Sequence, residues 1–119
     1  MSLKVNLNID DTINFAFSAI DAEEAILKVL KENNLEGIFE VDLKIVDVEE
    51  IHALNEEYRD IDKPTDVLSF PIHDKIESDT NAPILLGDII LCPEMAKDPI
   101  LKLIEHSVLH LIGIHHPGD

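Results

Sequence analysis

The chain has 119 residues, and its 25 acidic side chains outnumber its 9 basic ones, which gives a formal net charge of −16. This length predicts a single domain, 1–119, with a modest hydrophobic core. The negative charge repels polyanions at long range, so it argues against nonspecific nucleic-acid binding, which depends on neutralising phosphates. An RNA ligand would need a local cationic site, such as a metal ion, or a helper protein.

The N-terminus and the cysteine content indicate the compartment. No stretch approaches the roughly 20 apolar residues of a membrane span, and the alternating N-terminal residues lack the apolar core of a signal peptide. The single cysteine, Cys92, cannot form an internal disulfide and is expected to be a small buried side chain. The sequence therefore predicts a cytoplasmic protein that does not contact a membrane.

The first half of the chain alternates between strand and helix patterns. Alternating apolar residues predict a strand at 3–9, and helical apolar spacing predicts a helix at 21–31. Alternation resumes at 39–48 and predicts a second strand, which is followed by a second helix at 48–58. These elements give the order β-α-β-α.

The second half begins with a polar loop at 59–65 and ends with a helix. A short strand is predicted at 67–70, an exposed loop at 73–83 and a strongly apolar strand at 85–92. The last helix is expected to begin near Pro99 and to end near Ile112, because Gly113 can adopt a positive φ. The whole order, β-α-β-α-β-β-α, predicts an α+β or α/β domain with a mixed sheet of about four strands.

Three histidines on and after the last helix predict a metal site. His106 and His110 are four residues apart, so both imidazoles lie on one helix face and can reach one ion. After Gly113 the chain can fold back and bring His116 to the same ion. Three histidines leave a position for water, which is the catalytic pattern, and zinc is the metal expected. His115 is a spare ligand, a residue that orients a ligand, or an exposed side chain.

The other residues around these histidines exclude one chemistry. Zinc peptidases with two helical histidines place a glutamate directly after the first, as general base. Ser107 occupies that position here, which disfavours a peptidase. His52 and His73 lie in polar surroundings and are expected at the surface.

Three blocks of sequence carry a family resemblance. The segment His106-Ser-Val-Leu-His110-Leu-Ile-Gly113-Ile-His-His116 resembles the signature His-Gly-x-Leu-His-Leu-x-Gly-Tyr-Asp-His of the YbeY family of bacterial endoribonucleases. Residues 54–71 and 86–94 resemble the two blocks that precede this signature. The chain departs from the pattern at Ser107, at His115 and in a shorter segment between Glu94 and His106.

The resemblance implies a function. It implies an endoribonuclease that uses one zinc ion, is specific for single-stranded RNA, and acts in 16S rRNA 3′-end maturation and ribosome quality control. It also implies delivery by a ribosomal protein or a ribosome-associated GTPase. Two alternatives stay open: a metallohydrolase of another substrate, and a ribosome-assembly binding protein whose metal is structural.

Four residues of the central block are candidates for the substrate cleft. Arg59, the only arginine, is expected to be catalytic, because a guanidinium suits a phosphate; a surface ion pair is the alternative. Lys63 would add positive charge nearby, while Asp66 and Ser69 would border the cleft. Asp88, in the next block, is expected to be structural.

Overall fold

The computed structural model describes residues 2–74, 76 and 82–114. In chain order, the elements are β1 (Leu3–Asp11), α1 (Ala19–Glu32), β2 (Gly37–Ile45), α2 (Val48–Arg59), β3 (Val67–Pro71), β4 (Ile84–Leu91) and α3 (Ile100–Leu111). A short 3₁₀ turn, Pro93–Met95, precedes α3. The predicted order of elements is therefore confirmed.

The four strands form one mixed sheet with the order β1-β2-β4-β3. β1 pairs with β2 and β2 with β4 in parallel, while β3 pairs with β4 antiparallel. A parallel pair needs a crossover connection, which α1 supplies between β1 and β2. The predicted α+β domain with a mixed four-stranded sheet is confirmed.

One face of the sheet carries the main core. β2 alternates between buried and half-buried residues, and its buried side chains meet those of α1 and α3. The largest fully buried members are Phe39, Ile26, Leu30, Leu43, Ile45, Leu86, Ile89, Leu91, Ile104 and Leu111. Burial of apolar surface is the dominant favourable term in folding, so this cluster is the main source of stability.

A smaller core lies under α2 on the opposite face. It contains Val46, Ile51, Leu68, Ile90 and Cys92. Cys92 is fully buried, as expected of a small apolar side chain, and burial raises the pKa of its thiol.

The ends of β1 and β2 differ from the sequence prediction. β1 continues to Asp11, because Asp10 and Asp11 remain paired with β2 in the parallel ladder. β2 ends at Ile45, whereas the sequence predicted a strand that continued to Val48. The reason is Asp47, whose carboxylate accepts the Glu50 N–H at 2.9 Å and so begins α2 as its N-cap.

The end of α3 is confirmed. Gly113 has a φ of +87°. Its N–H donates to the His110 carbonyl at 3.0 Å, and the Ile114 N–H donates to the Leu109 carbonyl at 2.9 Å. This pair of bonds is a Schellman motif, which satisfies the last carbonyls of the helix. Among the described residues, no helix has both the length and the apolar character to cross a membrane.

Candidate functional site

A pocket of about 350 Å³ lies between the end of α2, β3 and α3. Its lining contains polar and charged side chains that are far apart in sequence. They are Arg59, Asp66, Ser69, Asp98, His106, Ser107 and His110, with Val67 and Leu103 as apolar members. The fold thus brings together Arg59, two candidate cleft residues and two predicted metal ligands.

His106 and His110 lie on one face of α3, as their spacing predicts. Their ring centroids are 4.5 Å apart, with the ring planes at 63°. The opposite face is buried through Ile104, Val108 and Leu111, which pack into the main core. This burial fixes the rotation of α3 and therefore keeps both imidazoles directed to the pocket. Two half-buried imidazoles at this distance form a donor pair that suits zinc.

Ser69 orients one of these histidines. Its hydroxyl lies 3.2 Å from Nδ1 of His110, and the residue is only 6% exposed. A hydrogen bond at Nδ1 restrains the ring orientation, and it leaves Nε2 able to bind a metal when the Nδ1–H donates to the Ser69 hydroxyl. With Ser69 on the Nδ1 side, His110 would bind a metal through Nε2.

Arg59 reaches the same serine from the other side. It is the last residue of α2, and its Nη2 donates to the Ser69 carbonyl at 3.2 Å. A guanidinium has several N–H donors in a planar fork, and this bond uses one of them. The remaining edge is suited to a phosphate in the pocket, where the sequence predicts one.

The other two cleft candidates are placed differently. Asp66 lines the pocket, and its backbone is fixed because its carbonyl accepts the Cys92 N–H at 2.8 Å. Lys63 is exposed and is not among the lining residues. Its carbonyl accepts a hydrogen bond from Asn55 Nδ2 at 2.9 Å, so the structure assigns its backbone a role in holding the loop after α2.

Comparison with known proteins identifies the family. The family model described as Endoribonuclease YbeY matches residues 6–119. The chain belongs to the YbeY family.

Curated members of the YbeY family are similar over most of their length. A protein of Agathobacter rectalis is 34% identical, with 98% of this chain and 86% of the relative aligned. A protein of Finegoldia magna is 39% identical, with 81% of this chain and 68% of the relative aligned. A protein of Clostridium perfringens is also 39% identical, with 79% of this chain and 72% of the relative aligned. All three relatives are named Endoribonuclease YbeY.

The alignment also shows a difference in length from these YbeY proteins. With the Agathobacter protein it spans 142 positions, more than the 119 residues of this chain. That relative therefore contains segments with no counterpart here.

Four lining residues were not among the site residues that the sequence predicted for this YbeY member: Val67, Asp98, Leu103 and Ser107. Asp98 lies in the turn before α3, where neither helical spacing nor strand alternation predicts which way a side chain faces. Ser107 could have been found, because it follows His106 and lies on the helix edge between the core and the pocket. It is 1% exposed, and its Oγ has no hydrogen-bond partner among the described residues.

The structure tests the predictions for only two of the four other histidines. His115 and His116 lie outside the described residues, so the third ligand and the role of His115 stay predictions. His73 is exposed, as expected. His52 is only half-exposed, with 39% of its side chain accessible, and it pairs with Asp62 away from the pocket.

Asp88 lies outside this pocket too, on the other face of the sheet. It is half-buried in β4, beside Asp42 in the parallel register with β2. Burial raises the pKa of the Asp88 carboxyl, and the negative charge of Asp42 adds to the shift. This placement supports the structural role expected for Asp88.

Proposed function

We propose that this chain is a zinc-dependent endoribonuclease that cleaves single-stranded RNA with its single domain, 1–119. Membership of the YbeY family supports the endoribonuclease activity. The pocket carries the rest of the proposal, because it unites the only arginine of the chain with the His106–His110 pair. A phosphate-binding group and a pair of metal donors facing one cavity are the parts that phosphodiester hydrolysis needs.

In this proposal, the residues of the pocket have separate roles. Arg59 binds the scissile phosphate and stabilises the charge that develops on its oxygens. His106, His110 and His116 would hold one zinc ion, which would supply a Lewis acid and a water of lowered pKa. Ser69 keeps His110 in its ligating orientation, and its carbonyl positions Arg59.

The physiological substrate and partners are part of the same proposal. We propose maturation of the 16S rRNA 3′ end and ribosome quality control in the cytoplasm. The net charge of −16 repels RNA at long range, so delivery by a ribosomal protein or a ribosome-associated GTPase would overcome this repulsion. The close cationic contact would then come from Arg59 and zinc, with Lys63 nearby.

The test is cleavage of a single-stranded RNA by the Arg59→Ala variant. We expect the rate to fall by at least about 100-fold, the loss typical when a donor to developing charge is removed. Zinc content should be unchanged, since Arg59 is not a metal ligand. Lys31→Ala is the matched control, because it removes one exposed cation from α1, outside the pocket.

Metal analysis separates the remaining outcomes. His110→Ala should lose the zinc bound at the pocket, whereas Arg59→Ala should keep it. An Arg59→Ala protein that cleaves RNA at the wild-type rate would refute the proposed phosphate role. A wild-type protein that folds only with zinc and cleaves no RNA would instead favour the binding protein with a structural metal.

A further inference from the structure

A second group of metal-binding side chains lies on α2, apart from the pocket. His52 and Glu56 are one helical turn apart on this helix, and Asp62 follows in the loop. His52 Nε2 is 2.8 Å from Asp62 Oδ1. None of the three lines the pocket that contains His106 and His110.

The backbone after α2 explains why Asp62 returns to the helix. Asp60 adopts the left-handed conformation, with φ 59° and ψ 34°, and its N–H donates to the Glu56 carbonyl at 3.1 Å. The Ile61 N–H then donates to the Asn55 carbonyl at 3.3 Å. Asn55 is 3% exposed and also binds the Lys63 carbonyl, so the loop is held on both sides of Asp62.

The three side chains can provide a common ligand set. One nitrogen or oxygen from each lies within 4.8 Å of the others. Ligands bound at about 2.0–2.2 Å lie within roughly 4.4 Å of one another, so a small side-chain rotation would complete the geometry. One imidazole and two carboxylates suit a divalent transition metal, with water completing its coordination. Water has access, because the Asp62 side chain is 80% exposed.

The charges of His52, Glu56 and Asp62 also favour a bound cation. The pKa of Glu56 is raised, because its carboxyl is hydrogen-bonded to Asp62 and feels its negative charge. The pKa of Asp62 is lowered, first by its hydrogen bond with His52 and then by that with Glu56. The carboxyl groups of Glu56 and Asp62 lie close together beside His52, and a divalent cation bound between them would offset the repulsion of two negative charges.

We infer that His52, Glu56 and Asp62 form a second metal site, which binds a divalent transition metal such as Zn²⁺, Co²⁺ or Ni²⁺. This site ties the last turn of α2 to the loop at 60–66. The loop joins Arg59 to Asp66, both of which line the pocket, so the metal restrains the segment between two pocket residues. The inference does not depend on the proposed nuclease function, because it uses none of the pocket residues.

The test uses the full-length chain with His110→Ala, which weakens the pocket site and leaves the second site intact. Titration with Ni²⁺ is followed by calorimetry, and the melting temperature is measured with and without metal. We expect one saturable Ni²⁺ equivalent and a raised melting temperature, since a ligand that binds only the folded state stabilises it.

Three further variants in the same background assign the ligands. His52→Ala and Asp62→Asn should each weaken Ni²⁺ binding by more than tenfold and abolish the rise in melting temperature. Loss of a metal ligand should lower affinity more than loss of a residue that only hydrogen-bonds to a ligand, which costs roughly 10–100-fold. His73→Ala, which removes an exposed histidine outside the group, should change neither quantity.

Two results would overturn the inference. One is Ni²⁺ binding that survives both His52→Ala and Asp62→Asn with unchanged affinity. The other is the absence of any saturable binding in the folded His110→Ala protein. If His110→Ala fails to fold, the wild-type chain replaces it, and His52→Ala must then lower the bound Ni²⁺ by one equivalent.

Discussion

At the scale of single residues, Ser69 joins the two halves of the candidate site. Its carbonyl accepts a hydrogen bond from Arg59, and its hydroxyl contacts Nδ1 of His110. The sequence indicated only a residue bordering the cleft. Its double contact requires β3 to lie between α2 and α3, which no local pattern reveals.

Removal of the Ser69 hydroxyl should weaken metal binding at the pocket. In Ser69→Ala, His110 loses the bond that fixes its ring, so we expect zinc affinity to fall by about 10–100-fold. Competition with a chromophoric chelator measures this affinity. Thr65→Ala is the control, because Thr65 Oγ1 bonds Asp66 at 3.4 Å but the residue does not line the pocket. Equal zinc affinities in Ser69→Ala and wild type would show that Ser69 does not support the metal site.

Asp88 predicts how stability depends on pH. Its pKa in the folded chain is raised, chiefly by burial, above that in the unfolded chain. The folded state therefore binds the proton more tightly, and this residue lowers stability as pH rises through the interval between the two pKa values. Below the unfolded pKa of about 3.9, both states are protonated and the penalty disappears.

The Asp88→Asn variant should thus be more stable than wild type at pH 7. The advantage should shrink on acidification and vanish below roughly pH 4, where wild-type Asp88 is neutral in both states. Urea unfolding at a series of pH values measures the difference. Glu57→Gln, an exposed change on α2, is the control. Parallel stability–pH curves for Asp88→Asn and wild type would contradict the assigned cause.

At the scale of elements, two glycines determine where chain segments can meet. Gly87 lies in β4 with φ +147°, and a Cβ there would lie 2.2 Å from the Phe70 carbonyl oxygen of β3. Gly113 ends α3 with φ +87°, and its nearest obstacle is the Asp74 carbonyl oxygen at 3.0 Å. Both resist a side chain, but only Gly87 would collide with a paired strand.

Alanine at these glycines should therefore have unequal effects. We expect Gly87→Ala to reduce the free energy of unfolding by at least about 3 kcal/mol, because strain and a backbone clash add. Gly113→Ala should cost about 1–2 kcal/mol, since it imposes a left-handed conformation on a residue with a Cβ. Urea denaturation compares the two proteins directly. A smaller loss in Gly87→Ala than in Gly113→Ala would contradict the close approach of β3 to β4.

At the scale of the whole molecule, charge limits how RNA can bind. The chain combines a net charge of −16 with a pocket that contains one arginine and two carboxylates. A long groove that tracks phosphates would require many cations on one surface. The proposed nuclease therefore contacts few phosphates.

The salt dependence of RNA binding tests this limit. Each phosphate contact with a single strand contributes a slope of about −0.7 to log K against log salt. For contacts by Arg59, zinc and Lys63 alone, we expect a slope no steeper than about −2. Fluorescence anisotropy of a labelled single strand measures it. A slope of about −4 would indicate contacts with many phosphates and contradict the proposal that the nuclease contacts only a few.

The sequence alone predicted the order of the elements, and it placed two of the three predicted metal ligands on one helix face. Period-two and period-3.6 patterns depend only on which side chains are apolar, so they predicted the order of elements and the four-stranded mixed sheet. The i, i+4 spacing of His106 and His110 likewise placed both rings on one face of α3, and the structure confirms that placement. The family resemblance is confirmed as well.

The packing of the elements sets which residues lie beside those histidines. Arg59, Ser69 and Asp98 reach the pocket only because β3 pairs antiparallel with β4 and α3 packs across the sheet. The grouping of His52 with Asp62 needed the left-handed turn at Asp60. Such contacts depend on how separate elements pack and on single backbone conformations. Hydrophobic periodicity contains neither, so the sequence indicated Arg59 and Ser69 without showing how they meet, and it did not indicate Asp98 or the pairing of His52 with Asp62.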